Sequence, residues 1–219
     1  MKVMAFNGSP RKTWNTATLL AKALEGAASK GAQTKLVHLY DLKYTGCRSC
    51  FACKTKDGPS YGRCAAQDDL TPILKEAADA DALILGSPIY FGTVSGEMKS
   101  FMERLLFPYL KYSAPPAPES LFPRKIHTGL IYAMNVTEQV MNERGYKNHI
   151  VLNEGFLKRM FGAAETLCCF DTYQFDDYSK MVADRYNVEA KAARRKQVFP
   201  QDCEKAFQMG ARFASTSAV

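Results

Sequence analysis

The feature that most constrains this chain is an alternation of short apolar runs with segments of helical period. Lys2–Asn7 (KVMAFN) reads as a strand, and Asn15–Lys30 reads as a helix with Leu20, Ala23, Leu24 and Ala27 on one face. Thr34–Tyr40, Ala82–Ser87, His127–Met134 and Thr166–Phe170 read as further strands. Between them, Asp68–Ala78 is a short helix with Asp68 and Asp69 at its cap and Pro72 in its first turn. Ser95–Leu110 is an amphipathic helix through Met98, Phe101, Met102, Leu105 and Tyr109. Strand–helix alternation of this kind argues an α/β fold, a doubly wound five-stranded parallel sheet with helices on both faces. Two further helical stretches follow, near Ser179–Arg195 and Pro200–Ala214, the latter with Cys203, Phe207, Ala211 and Ala214 on one face. Residues 1–170 form the expected domain, and residues 171–219 a helical extension packed on it. Pro115, Pro116, Pro118 and Pro123 mark Ser113–Pro123 as a stiff surface connection.

The chain has 219 residues, 47% of them apolar and 23% charged, the balance of a globular protein. Its net charge of +7 is uneven: residues 1–63 carry eleven basic and three acidic residues, whereas residues 64–110 are net acidic. A basic first quarter suggests an anionic ligand. The opening MKVMAFNGS is too interrupted for a signal peptide, and the uncharged stretch Ala82–Gly96 is too short and too rich in Gly, Ser and Pro for a membrane span. A cytoplasmic protein with reduced cysteines and no membrane partner is expected.

Two loops carry the binding signals. The first strand runs into Gly8-Ser9-Pro10-Arg11-Lys12-Thr13-Trp14-Asn15-Thr16 just before a helix. Unpaired helix N–H groups, the short donors of Ser9, Thr13, Asn15 and Thr16, and the charges of Arg11 and Lys12 together suit a phosphate. An ordinary capped turn is the alternative. The third strand ends in Pro88-Ile89-Tyr90-Phe91-Gly92. In the strand order 2-1-3-4-5, the exits of strands one and three flank one crevice, where ligands of open sheets bind. Tyr90 and Phe91 would offer flat apolar surface there, or else plug the end of the sheet.

Cys47, Cys50, Cys53 and Cys64 cluster after the second strand. Four thiolates from one loop could ligate a [4Fe–4S] cluster or zinc, or stand as free thiols. His38, His127 and His149 have no metal-ligand spacing, and Cys168, Cys169 and Cys203 read as small buried apolar groups. The basic run Lys191–Lys196 (KAARRK) lacks interleaved aromatics, so a solvated helix face is expected and no nucleic acid.

"GSPR…NT…L" after strand one and "GSPIYFGTVSGEMKSFMER" after strand three resemble the flavodoxin-like NAD(P)H-dependent FMN oxidoreductases. "CRSCFACK…CAAQDDL" is similar to the iron–sulfur flavoprotein branch of that family, with a longer last gap. The resemblance implies a flavodoxin-like sheet and an FMN phosphate held by Ser9, Arg11, Asn15 and Thr16, with Lys12, Thr13 and Trp14 in the same loop. It implies an isoalloxazine ring lined by Pro88, Ile89, Tyr90, Phe91 and Gly92, and met on its far side by the Met134–Asn135 exit. Trp14 stands where the family usually has Gly, so a positive φ there would strain it.

The implied activity moves electrons from NAD(P)H through FMN to a small acceptor such as a quinone or free flavin, with no protein acid–base pair needed. The rival implication is an electron carrier, in which Cys47, Cys50, Cys53 and Cys64 hold a [4Fe–4S] cluster between FMN and a ferredoxin-like partner. A non-enzymatic FMN-binding module is a third reading. The resemblance also implies a homodimer or homotetramer.

Overall fold

The computed structural model describes residues 1–114 and 119–215. The strands are β1 (Lys2–Asn7), β2 (Gln33–His38), β3 (Ala82–Tyr90), β4 (Thr93–Val94), β5 (Ile126–Ala133) and β6 (Gly162–Cys169). The α-helices are α1 (Asn15–Ala28), α2 (Leu70–Asp79), α3 (Gly96–Leu106), α4 (Glu138–Glu143), α5 (Tyr146–Phe161), α6 (Val188–Gln197) and α7 (Phe199–Ser215). The sheet runs β2-β1-β3-β5-β6 with every pair on that path parallel. It has six strands rather than the expected five, because β4 pairs antiparallel with β3 off that path. Pro115, Pro116 and Pro118 of the proline-rich connection lie outside the described residues.

Strands buried on both faces read as near-continuous apolar runs, and β1 shows why. Side chains alternate across a strand. Met4 and Phe6 enter one core with Leu83, Leu85, Leu130, Phe101 of α3 and Leu157 of α5. Val3 and Ala5 enter the opposite core with Ile84, Ile131, the apolar face of α1 and Met209 and Phe213 of α7.

α7 lies directly on α1. An ideal Cβ at Gly210 would sit 1.7 Å from the Ala23 carbonyl oxygen, and one at Gly26 would sit 1.9 Å from that of Phe207. Only glycine lets the two backbones meet at this crossing. The buried face of α7 therefore runs through Phe199, Asp202, Ala206, Met209, Gly210 and Phe213. Of the expected stripe only Ala211 is buried, with Cys203, Phe207 and Ala214 half-buried.

A second correction concerns Ser179–Arg195. Tyr178–Lys180 forms one 3-10 turn, and α6 starts only at Val188, where the Asn187 side chain accepts from the Ala190 amide. Asn187 is a good N-cap, and that cap places the start of α6.

Candidate active site at the C-terminal edge of the sheet

The loops after β1, β2, β3, β5 and β6 all leave by one edge of the sheet. After β1, Ser9 Oγ accepts from the Arg11 amide at 3.1 Å, and the Ser9 amide donates to Asn7 Oδ1 at 3.0 Å. α1 then opens after Trp14, whose φ of −104° is extended, so the strain anticipated for a tryptophan does not arise. No side chain caps α1, and its first turn holds no acid. Ser9 and Thr16 are buried beside these uncapped amides, a donor set that fits a phosphate, while Asn15, also buried there, has its side chain bonded to Tyr173 and Arg195. Lys12 pairs with Asp41 at 2.6 Å on the surface, and Thr13 is exposed.

Ser95, the buried N-cap of α3, ties this loop to the next one. Its hydroxyl donates to the Gly8 carbonyl at 2.6 Å, and its amide donates to Ser87 Oγ at 2.9 Å. Neither serine stood out in the sequence. Their roles depend on β1 and β3 being neighbours.

β3 and β4 form a tight hairpin whose two-residue turn is Phe91-Gly92, with φ of +50° and +87°. Positive φ at both positions is the requirement of a type I′ turn, which glycine meets without cost and phenylalanine does not. A Cβ at Gly92 would also sit 2.9 Å from the Tyr146 ring. Phe91 is 106% exposed, and Tyr90 beside it is exposed as well. Neither ring plugs the sheet. Phe91 is thus a bulky aromatic held at positive φ and open to solvent. Pro88 and Ile89 are half-buried below it.

The cysteine loop packs on α3. Cys47, Cys50, Cys53 and Cys64 line one concavity with Arg48, Glu103 and Arg104. Glu103 accepts from the Cys47 amide at 3.2 Å. Arg104, 2% exposed, donates to Cys64 Sγ at 2.8 Å, to the Thr45 carbonyl and, bidentately, to Asp68 at 2.8 and 3.1 Å. The Arg104 hydrogen bond, followed by its charge, holds the Asp68 carboxyl below the usual range. Asp68 also accepts from the Leu70 amide, whereas Asp69, the N-cap of α2, makes no side-chain cap and instead accepts from the Lys43 amide.

Lys54 does not act as a free positive charge. Its ammonium donates to the carbonyls of Phe107, Pro108 and Leu110. Burial raises the Cys53 thiol, outweighing the lowering by Lys54. Among the described residues no three His, Cys, Asp or Glu side chains gather as a single metal ion needs. Four cysteine thiols facing one concavity are nonetheless the kind of donor set that iron–sulfur clusters use.

The model of the NADPH-dependent FMN reductase family matches residues 1–133. The chain belongs to the NADPH-dependent FMN reductase family. It is 41% identical over 104 residues to an iron–sulfur flavoprotein of Methanocaldococcus jannaschii, covering 48% of this chain and 51% of that protein. It is 36% identical over 104 residues to an iron–sulfur flavoprotein of Archaeoglobus fulgidus, covering 48% of each. The chain thus spans about half the length of the curated relatives it matches. An NAD(P)H:quinone oxidoreductase from Methanothermobacter marburgensis shares the fold, with a TM-score of 0.67, 13% identity, and 99% and 98% of the two chains covered. An azoreductase from Bacillus anthracis also has a TM-score of 0.67, at 16% identity. Among the described residues no helix is long and apolar enough to cross a membrane.

The family match ends at residue 133, yet the chain beyond it reaches the same edge. Three side chains of the β1–α1 loop hold the backbone after β6. Arg11 donates to the Gln174 carbonyl at 2.5 Å, and Trp14 Nε1 and Asn15 Nδ2 donate to the Tyr173 carbonyl at 3.0 and 2.8 Å. The Arg11 guanidinium stacks 3.8 Å from the Trp14 ring centre. At the β5 exit Met134 is buried, and Asn135 accepts from Lys191. KAARRK is therefore not a solvated face. Lys191 is 4% exposed, Arg194 pairs with Asp202 at 2.8 Å, and Arg195 donates to Asn15. Their partners lie in other elements, Asn135 and Asp171 for Lys191, Asn15 for Arg195 and Asp202 of α7 for Arg194, which hid them from a reading of the run alone.

Proposed function

We propose that the protein is an FMN-dependent oxidoreductase that takes electrons from NAD(P)H and passes them to a small acceptor such as a quinone or free flavin. The observation that carries this reading is the pairing, at one sheet edge, of an uncapped, acid-free α1 N-terminus with the strained, solvent-facing Phe91 hairpin. Membership of the FMN reductase family supports it.

The α1 amides with Ser9 and Thr16 would hold the phosphate, and Arg11 and Lys12 would add positive potential around it. Pro88 and Ile89 would floor the ring site, Tyr90 and Phe91 would flank it, and Gly92 keeps the turn tight. Met134 and Asn135 would bound its far side. Bound FMN would supply the hydride and electron chemistry, and the chain would orient the two substrates and shield them from water. The test is anaerobic mixing of FMN-loaded protein with NADPH and with NADH. Bleaching of the flavin absorbance by either supports the reading, and a flavin left oxidised by both refutes it.

A second reading is favoured by the cysteine concavity. Cys47, Cys50, Cys53 and Cys64 would hold a [4Fe–4S] cluster that relays electrons between a redox-protein partner and FMN, with Arg48 and Arg104 offsetting the thiolate charge. Iron and acid-labile sulfide assays on anaerobically purified protein test it. Iron-free, colourless apoprotein would refute it.

A further inference from the structure

Residues after the family match close a ring around the proposed phosphate loop. The Met134 amide donates to the Cys169 carbonyl, and the amides of Asp171 and Thr172 donate back to the carbonyls of Val136 and Met134, each at 2.9 Å. The chain then passes under Arg11, Trp14 and Asn15 at Tyr173–Gln174. It returns as α6, where Lys191 and Arg195 are four residues apart and so share a face.

Lys191 reaches one loop and Arg195 the other. The buried Lys191 ammonium donates to Asn135 Oδ1 and to Asp171 Oδ1, both at 2.5 Å. Arg195 donates to Asn15 Oδ1 at 2.6 Å while lying 4.1 Å over the Phe199 ring. Asn15 is thereby spent on both sides: its amide nitrogen holds Tyr173 and its oxygen holds Arg195. It does not need a phosphate to satisfy it, so its task is to fix where α1 begins.

We propose that α6 is a clasp of the FMN site, and that Arg195 and Lys191 are positioning residues for its two halves. Arg195, through Asn15, sets the α1 amides that take the phosphate, while Lys191, through Asn135, sets the β5 exit that bounds the ring. This rests on the FMN reading above. The two residues therefore affect different parts of one ligand.

The experiment measures FMN and riboflavin affinities by flavin fluorescence for the wild type, Arg195→Met, Arg195→Lys and Lys191→Met, with thermal melts alongside. Riboflavin lacks the phosphate. Losing one charge-assisted hydrogen bond that orders the loop should cut FMN affinity about tenfold or more in Arg195→Met while leaving riboflavin within about twofold. Arg195→Lys, which keeps a donor for Asn15, should recover most of the preference for FMN. Lys191→Met should weaken both flavins alike and keep their ratio. Equal losses for both flavins in Arg195→Met, or none, overturn the clasp, because a merely destabilised protein loses both together. A wild type that binds neither flavin refutes the FMN reading itself, which separates the two failures.

Discussion

Replacing Arg104 with Met tests the anchoring of the cysteine loop on α3. The guanidinium is buried and serves Asp68, the Thr45 carbonyl and Cys64 Sγ at once. Removing one partner of a buried pair strands the other, at a cost of about 3–5 kcal/mol. For a domain of this size that is a fall in Tm of roughly 6–20 °C. The pH dependence gives a sharper signature. Arg104 holds the Asp68 carboxyl below its ordinary value, first through the hydrogen bond and then through charge. Stability from such a group is complete above the unfolded value of about 3.9 and is lost as pH falls through the lower folded one. The lead of the wild type over Arg104→Met should thus be full at pH 7 and shrink below about pH 4. Thermal and urea unfolding of both proteins from pH 7 to pH 2 measures it. A lead below about 1 kcal/mol at pH 7, the scale of a surface pair, would refute the reasoning, as would a lead unchanged in acid.

Two other substitutions follow from the same geometry. Gly210→Ala drives a Cβ into the Ala23 carbonyl and should cost about 3 kcal/mol or more, whereas Gly155→Ala, with open space around it on α5, should gain up to about 1 kcal/mol in a thermal melt. A Gly210→Ala protein as stable as the wild type would contradict the α1–α7 crossing. Phe91→Gly relieves about 1 kcal/mol of left-handed strain, so its Tm should not fall, while its FMN affinity should drop by about tenfold. A drop in Tm with unchanged FMN binding would make Phe91 a structural residue only.

The central strands were legible because a parallel sheet buries both their faces, leaving runs such as Val3–Asn7 and Ala82–Ser87 free of charge. The hairpin β4 was missed because two residues carry no period, and its turn uses a phenylalanine where type I′ geometry favours Asn or Gly. Helix α5 was expected only as the link between two strands. Its exposed Val151, Leu152 and Phe156 blur the stripe formed by Ile150, Leu157 and Met160. The β1–α1 loop was legible as a loop before a helix, but the partners of Asn15 and Trp14 were not. Tyr173 and Arg195 stand more than 150 residues away, and only the fold brings them together. Arg104 was hidden likewise, as a charge on an amphipathic helix that turned out to face inward.

The proposed flavin site lies at the edge shared by β1, β3 and β5. A crystal structure of the protein with FMN tests it most directly. The phosphate should lie against the α1 amides beside Ser9 and Thr16, with the ring against Pro88–Gly92. FMN bound elsewhere, or a phosphate turned away from α1, would contradict it.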